Sequence, residues 1–305
     1  MGVDVSDGYV QKQVYLLVAL LSVSGCSSAT TYSVRKPLDV DVIANLPTKL
    51  DESSGIAIVN GKIWSHNDSG RKNQIYQLSP DFKTITKTLT VQNSRNYDWE
   101  ALAQSQRYLY IGDTGNNSTR RNGGIIYKVP LSSLNNKRTV KPVSTLRYRF
   151  KDFEHGKTYQ HNFDSEAMTV VGDQLWLFSK NWQDEHTKLY RLNPMKKQQT
   201  VAPEGNYPVK GLITSADYDP NTSTLVLLGY RKEVLLGYSF IWLIKVKDNQ
   251  IDWSTAKYKR LRIYSQWEAV HWYKDNQLLL TSEKNPLAKA MIATVDVSSL
   301  IKGSE

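Results

Sequence analysis

The sequence predicts an all-β chain folded as a five-bladed β-propeller and closed by a strand from its own N-terminal side. Three observations predict it. From about residue 37 onward, short apolar runs bounded by Gly, Pro, Asn and Asp follow one another, rich in Tyr (18), Trp (8), Val and Ile, the residues that favour strands. Helical periodicity is nearly absent. A unit of inner strand, turn and second strand recurs five times, starting at Ser54, Glu100, Glu166, Ala216 and Glu268, at intervals of 46, 66, 50 and 52 residues.

In chain order, the first element is not part of the ring. Val14 to Gly25 is an apolar stretch followed by small residues, the pattern of a secretory leader over residues 1–25. It is shorter than the roughly 20 apolar residues that span a bilayer. Asp4 and Asp7 stand against a single Lys12 where positive charge is expected, which a start site further along would explain. Val23-Ser24-Gly25-Cys26 resembles a bacterial lipobox. That resemblance implies cleavage before Cys26, lipid on its sulfur and new amine, and a membrane anchor as a partner. Ser27 at the next position resembles an outer-membrane signal, so the expected location is exported, lipid-anchored at the periplasmic face of the outer membrane. Residues 26–36 are rich in Ser and Thr and read as a flexible tether. Residues 37–305 form the propeller domain.

The repeats then follow as Ser54 to Asp68, Glu100 to Thr114, Glu166 to Lys180, Ala216 to Tyr230 and Glu268 to Ser282, each with a further strand behind it. The interval of 66 implies an insertion at Arg149–Asn162, and six blades would result if that insertion hid strands. The fifth unit ends near Ser298 without an obvious fourth strand. Val40 to Leu46 is an orphan strand of the right length, expected to complete the last blade and so remove an open sheet edge.

Composition narrows the function classes. Cys26 is the only cysteine, so no disulfide forms within the chain. The net charge is +10, and removing residues 1–25 (Asp4, Asp7, Lys12) leaves +11. Lys83, Lys87, Lys128 and Lys188 are dispersed, which suits a solvated strand face; an anionic membrane surface is the second reading, and no nucleic-acid partner is expected for an exported chain. Gly-x-Ser-x-Gly, His-Glu-x-x-His and a phosphate-binding Gly-rich loop are all missing, and the five histidines lack zinc spacing.

The chemistry concentrates in loops that a propeller brings to one mouth. Asp51-Glu52, Asp98-Trp99-Glu100, Asp164-Ser165-Glu166 and Gln266-Trp267-Glu268 enter the inner strands, and His66-Asn67-Asp68, Gly112-Asp113-Thr114-Gly115-Asn116, Ser179-Lys180, Tyr230-Arg231 and Glu283-Lys284 follow the second strands. Asp68, Glu100, Asp113, Glu166 and Glu268 with Asn67 and Asn116 offer the hard oxygen ligands that Ca²⁺ or another divalent cation prefers. Alternatively His66, Lys180, Arg231 and Lys284 pair with those carboxylates or receive a small anionic ligand, with Trp99 and Trp267 able to stack on it. A third reading is that the acidic residues are structural glue, because Asp and Asn in such turns bond neighbouring backbone.

Glu-Ser-Ser-Gly-Ile-Ala, Ile-Trp-Ser-His-Asn-Asp-Ser-Gly, Asp-Trp-Glu-Ala-Leu-Ala and Leu-Tyr-Ile-Gly-Asp-Thr-Gly-Asn-Asn together resemble a group of exported bacterial β-propeller proteins, many of them lipoproteins. More distantly, residues 50–297 are similar to the SdiA-regulated, esterase-like phytase and gluconolactonase-type propellers. The last of these implies a central divalent metal held by Glu52, Glu100, Glu166 or Glu268 with Asn67 or Asn116; Ala216 in place of Glu breaks the symmetry of any such ring. Two functions follow as expectations. One is a binding or interaction module for a small-molecule or protein ligand. The other is a metal-dependent hydrolase of the lactonase or phosphoester type, with Glu100 or Glu166 on the metal and His66 or Asp113 as general base.

Overall fold

The structure is a computed structural model that describes residues 36–233, 237–286 and 288–301. The leader expected over residues 1–25, the expected lipidation site Cys26 and the expected tether up to residue 35 lie outside the described residues. Among the described residues no helix is long and apolar enough to cross a membrane.

Five sheets make five blades. The chain enters through β1 (Asp41–Asn45). Blade 1 is β2 (Ser53–Val59), β3 (Lys62–Asn67), β4 (Gln74–Leu78) and β5 (Ile85–Val91). Blade 2 is β6 (Trp99–Gln104), β7 (Tyr108–Asp113) and β8 (Gly124–Pro130); next β9 (Thr139–Val140) runs back to pair in parallel with β5, and β10 (Ser144–Phe150) completes the blade. Blade 3 repeats the device. After β11 (Asp164–Val171), β12 (Gln174–Lys180) and β13 (Thr187–Leu192), β14 (Gln198–Val201) pairs in parallel with β10 before β15 (Gly205–Tyr207) finishes the sheet. Blade 4 is β16 (Leu212–Asp219), β17 (Thr224–Arg231), β18 (Tyr238–Lys247) and β19 (Gln250–Arg260). Blade 5 is β20 (Trp267–Trp272), β21 (Gln277–Ser282) and β22 (Met291–Asp296), with β1 antiparallel to β22 as its fourth strand.

The ring is therefore closed as the orphan strand implied, and five blades are present. The stretch 149–162 holds the end of β10 and an isolated bridge between Lys157 and Gln160, with no sixth sheet. Ser53 Oγ donates to Thr281 Oγ1 at 2.8 Å, joining the inner strand of blade 1 to blade 5.

The strands read as near-continuous apolar runs because both faces of each blade are buried. Successive side chains point to opposite faces, so each strand serves two cores. Ile56 packs with Leu279 and Ile292 of blade 5, whereas Ala57 beside it packs with Trp99 and Ile111 of blade 2. Five such clusters lie between the five pairs of neighbouring blades. Trp64, Trp99, Trp176, Trp242 and Trp267 are all fully buried there. Asn60-Gly61 joins β2 to β3 with φ of 51° and 71°, the pair of positive values that a tight type I′ hairpin requires.

Candidate functional site

Every inner strand carries a β-bulge near its start. The register slips between Ser53 and Gly55, Trp99 and Ala101, Ser165 and Ala167, Ile213 and Ser215, and Trp267 and Ala269. The residues skipped are Ser54, Glu100, Glu166, Thr214 and Glu268. A bulge re-aims the residue that it leaves unpaired, and here it gathers one residue per blade at the ring's centre. Ser54 Oγ donates to Glu100 Oε2 at 2.9 Å, and Thr214 Oγ1 donates to the carbonyl of Trp267 in the next blade at 2.7 Å. The fourth member of the ring is thus Thr214, not Ala216. Ser215 holds the place that alanine takes after each bulged glutamate, and Thr214 supplies a hydroxyl where three other blades supply carboxylates.

A second tier comes from the end of each second strand, or from the residue just past it: Asp68, Thr114, Lys180, Tyr230 and Glu283. The antiparallel hairpins set the ends of the second strands beside the starts of the inner strands, so both tiers lie at one mouth. Asp98 joins them from the loop ahead of β6. Ligand oxygens of Asp68, Asp98 and Glu100 lie within 4.8 Å of one another. Gly115 is packed over them: a Cβ there would lie 2.4 Å from Glu100 Oε1 and 2.6 Å from Asp98 Oδ2.

Electrostatics at the mouth are one-sided. Asp68, Asp98, Glu100, Glu268 and Glu283 form no ion pair among the described residues. Burial is the first cause that pushes each carboxyl up, and the neighbouring carboxylates add to it. Asp68 rises to about 8, Asp98 to about 6 and Glu283 to about 9. Glu100 and Glu166 rise well above the usual carboxylate range, and Glu268 rises too. Lys180 is the buried counter-charge. Its Nζ lies 2.5 Å from Glu166 Oε2, between the rings of Trp182 (5.0 Å) and Tyr230 (5.2 Å). It also opposes the upward shift of Asp68, Asp98, Glu268 and Glu283.

The other residues singled out from sequence fall elsewhere. Asn67 uses its amide on backbone, donating to the Lys49 carbonyl (2.8 Å) and accepting from Glu52 N (3.2 Å). Asn116 likewise donates to the carbonyls of Arg121 and Phe163 and accepts from Arg121 N. Glu52 is partly exposed and pairs with Arg71 at 2.5 Å. Asp113 is buried and held by Arg121 at 2.6 Å. His66 is buried between blades 1 and 2, edge-on to Trp99 at 5.6 Å, and burial lowers its imidazole to about 4. Trp99 is itself fully buried, its indole N–H donating to the Arg95 carbonyl; Trp267 repeats that bond with Ile263. Arg231 pairs with Glu185 at 3.1 Å, and Lys284 is exposed on the loop that donates its N–H to the Asp51 carbonyl.

Asp98 and Glu283 are the mouth carboxylates that ranking by residue type passes over. Both stand in the mouth loops of the sequence, and the signal for them is position: one precedes a bulged strand by a single residue, the other follows a second strand directly.

A scan against protein-family models finds no match, and a search of curated proteins finds none. Solved structures similar in backbone arrangement include Kuenenia stuttgartiensis hydrazine synthase (TM-score 0.42, 10% identity, covering 84% of this chain and 66% of that one, just under two thirds of its length). The WD40 β-propeller domain of Doa1 aligns with a TM-score of 0.40 and 11% identity over 86% of this chain and 98% of that one. The β-propeller domain of Myceliophteria thermophila Cps50 (Swd1) gives 0.42 and 8% over 85% and 100%.

Proposed function

We propose that the protein is an exported, lipid-anchored β-propeller whose mouth binds a divalent cation, Ca²⁺ being the ion best suited to its carboxylate donors. The observation that carries this reading is the approach of Asp68, Asp98 and Glu100 oxygens to within 4.8 Å, with no cationic side chain among the described residues in an ion pair with any of them. Three like charges this close, Glu100 buried and Asp68 and Asp98 half-buried, must either take up protons or share a cation. A divalent ion does the second, and Gly115, where a Cβ would clash with both groups, lets the backbone close over Glu100 and Asp98. Asp68, Asp98 and Glu100 would hold the ion; Glu268 and Glu283 would lower the potential around it.

A binding role is favoured over hydrolysis by the surroundings of the two candidate bases. His66 is sealed between blades, with its Nδ1 on the Asn67 carbonyl at 3.0 Å, and Asp113 is committed to Arg121. The anchor rests on the sequence around Cys26. Radiolabelled palmitate should enter the wild-type chain and not Cys26→Ser, and the variant should leave the membrane fraction.

The mouth is tested with the purified full-length chain by metal analysis and by melting in EDTA against millimolar CaCl₂. Calcium should raise the melting temperature by mass action, and Asp98→Asn with Glu100→Gln should abolish the rise while leaving the fold intact by circular dichroism. If no divalent ion copurifies and none shifts melting, the reading fails.

A further inference from the structure

A cleft of about 710 Å³ crosses blade 2 from Arg121, at the edge of the acidic mouth, out to β10 and β14, and no carboxylate is among its lining residues. Its walls follow from strand register. Arg147 on β10 stands opposite Ile125 of β8 and Gln198 of β14, and Arg149 stands opposite Thr200. Residues two apart on a strand share a face, so the exposed Arg147 and Arg149 project side by side, roughly 7 Å apart along β10. Gln198 and Thr200 line the same face from the parallel strand.

The floor is bare for a steric reason. At Gly123, φ is +91°, and a Cβ would meet the Tyr148 carbonyl oxygen at 1.9 Å and Arg149 Cα at 2.8 Å. Only glycine lets the chain entering β8 approach β10 so closely, so no side chain rises from this position between the cleft and the backbone that carries the two arginines. Among the described residues neither Arg147 nor Arg149 has an ion pair or a side-chain hydrogen bond, in contrast to Arg121 at the mouth end of the cleft, which is paired with Asp113. Two unpaired guanidinium groups at this spacing repel one another, and an anion between them removes the repulsion. The planar guanidinium fork matches phosphate oxygens two at a time. The volume is that of a small-molecule site.

We propose that this cleft binds a phosphate group, carried either by a soluble small molecule or by a lipid headgroup, with Arg147 and Arg149 as the clamp and Gln198 and Thr200 as neutral donors. The site is independent of the cation at the mouth. It is tested on the full-length chain in EDTA, so that no mouth-bound cation bridges to phosphate. Sodium phosphate and pyrophosphate are titrated by calorimetry, and cosedimentation is measured with phosphatidylcholine vesicles containing or lacking phosphatidic acid. Arg147→Gln and Arg149→Gln should each weaken binding about tenfold, and the double variant should abolish it with an unchanged melting temperature. A charge-matched control, Lys62→Gln with Lys247→Gln on other blades, should bind as wild type. Retention of phosphatidic acid vesicles that depends on the two arginines assigns the headgroup; binding of free phosphate alone assigns a soluble ligand. Absence of phosphate binding, or binding that survives in the double variant, overturns the proposal.

Discussion

Lys180 Nζ stands 2.5 Å from Glu166 Oε2, and both groups are buried at the centre of the ring. Lys180 holds the position that Asp68 holds in blade 1 and Glu283 in blade 5. One blade thus supplies a fixed cation where two others supply carboxylates, and the surplus negative charge is left on the side of Asp68, Asp98 and Glu100.

Lys180→Met should therefore act in two ways. Breaking a buried ion pair from one side leaves an uncompensated carboxylate and costs about 3–5 kcal/mol, which for a domain of this size lowers melting by roughly 10 °C in EDTA. The same change removes the resident competitor of a bound cation, so calcium should recover a larger share of the lost melting temperature than it adds to the wild type. Calorimetric scans with and without calcium read both effects. An unchanged melting temperature in EDTA would sink the claim that Lys180 neutralises the mouth.

The mouth carboxylates also set a pH dependence. Asp68, Asp98 and Glu283, pushed up to about 8, 6 and 9, bind protons more tightly folded than unfolded. Their contribution is fully present below the ordinary carboxylate range and is lost as pH rises through the folded values. His66 acts in the opposite sense: lowered to about 4, it contributes stability that is lost as pH falls from 6.5 through 4. The two trends oppose each other below pH 6.5, so the decline shows cleanly between about 6.5 and 9. In EDTA the melting temperature should fall across that window, and in calcium the fall should shrink. Identical slopes in the two buffers would count against cation binding at these groups.

The fold was legible because each repeat carries the same physical signals: a doubly buried apolar strand, a polar mouth loop and a buried tryptophan. The orphan strand near residue 41 was legible because the fifth repeat lacks a fourth strand. Legibility stopped at one-residue detail. A bulge shifts register without changing composition, so Ala216 looks like the fourth partner of Glu100 until backbone pairing places Thr214 there. Asn67 and Asn116 look like ligands by residue type, yet the loops they sit in need their amides for backbone bonds. Arg147 and Arg149 become neighbours of Gln198 and Thr200 only because β14 returns from the next blade to pair with β10.

Gly55 marks a close approach of the inner strands of blades 1 and 2. A Cβ there would lie 2.7 Å from His66 Nε2 and 2.8 Å from the backbone N of Leu102. The second contact cannot be relieved by a side-chain rotation. Gly55→Ala should cost about 2 kcal/mol through forced backbone shift, read as a lower midpoint in guanidinium unfolding. Wild-type stability in that variant would mean that the blades are not packed this tightly.

Closure by β1 yields the last prediction. Ala44 and Leu46 are buried in the core between blades 5 and 1, and Leu38 exchanges backbone bonds with Arg260 and Arg262 at the blade 4 edge. The segment therefore ties three blades, and its removal strips β22 of a partner and exposes a row of unpaired N–H and C=O groups, the kind of edge that recruits other chains. A chain beginning at Arg35 should melt like the full-length protein, whereas one beginning at Pro47 should melt lower and self-associate in size-exclusion chromatography. Adding a peptide spanning residues 36–47 should restore part of the lost stability by strand addition. If the shorter chain stays monomeric with full stability, the ring does not depend on its N-terminal strand for closure.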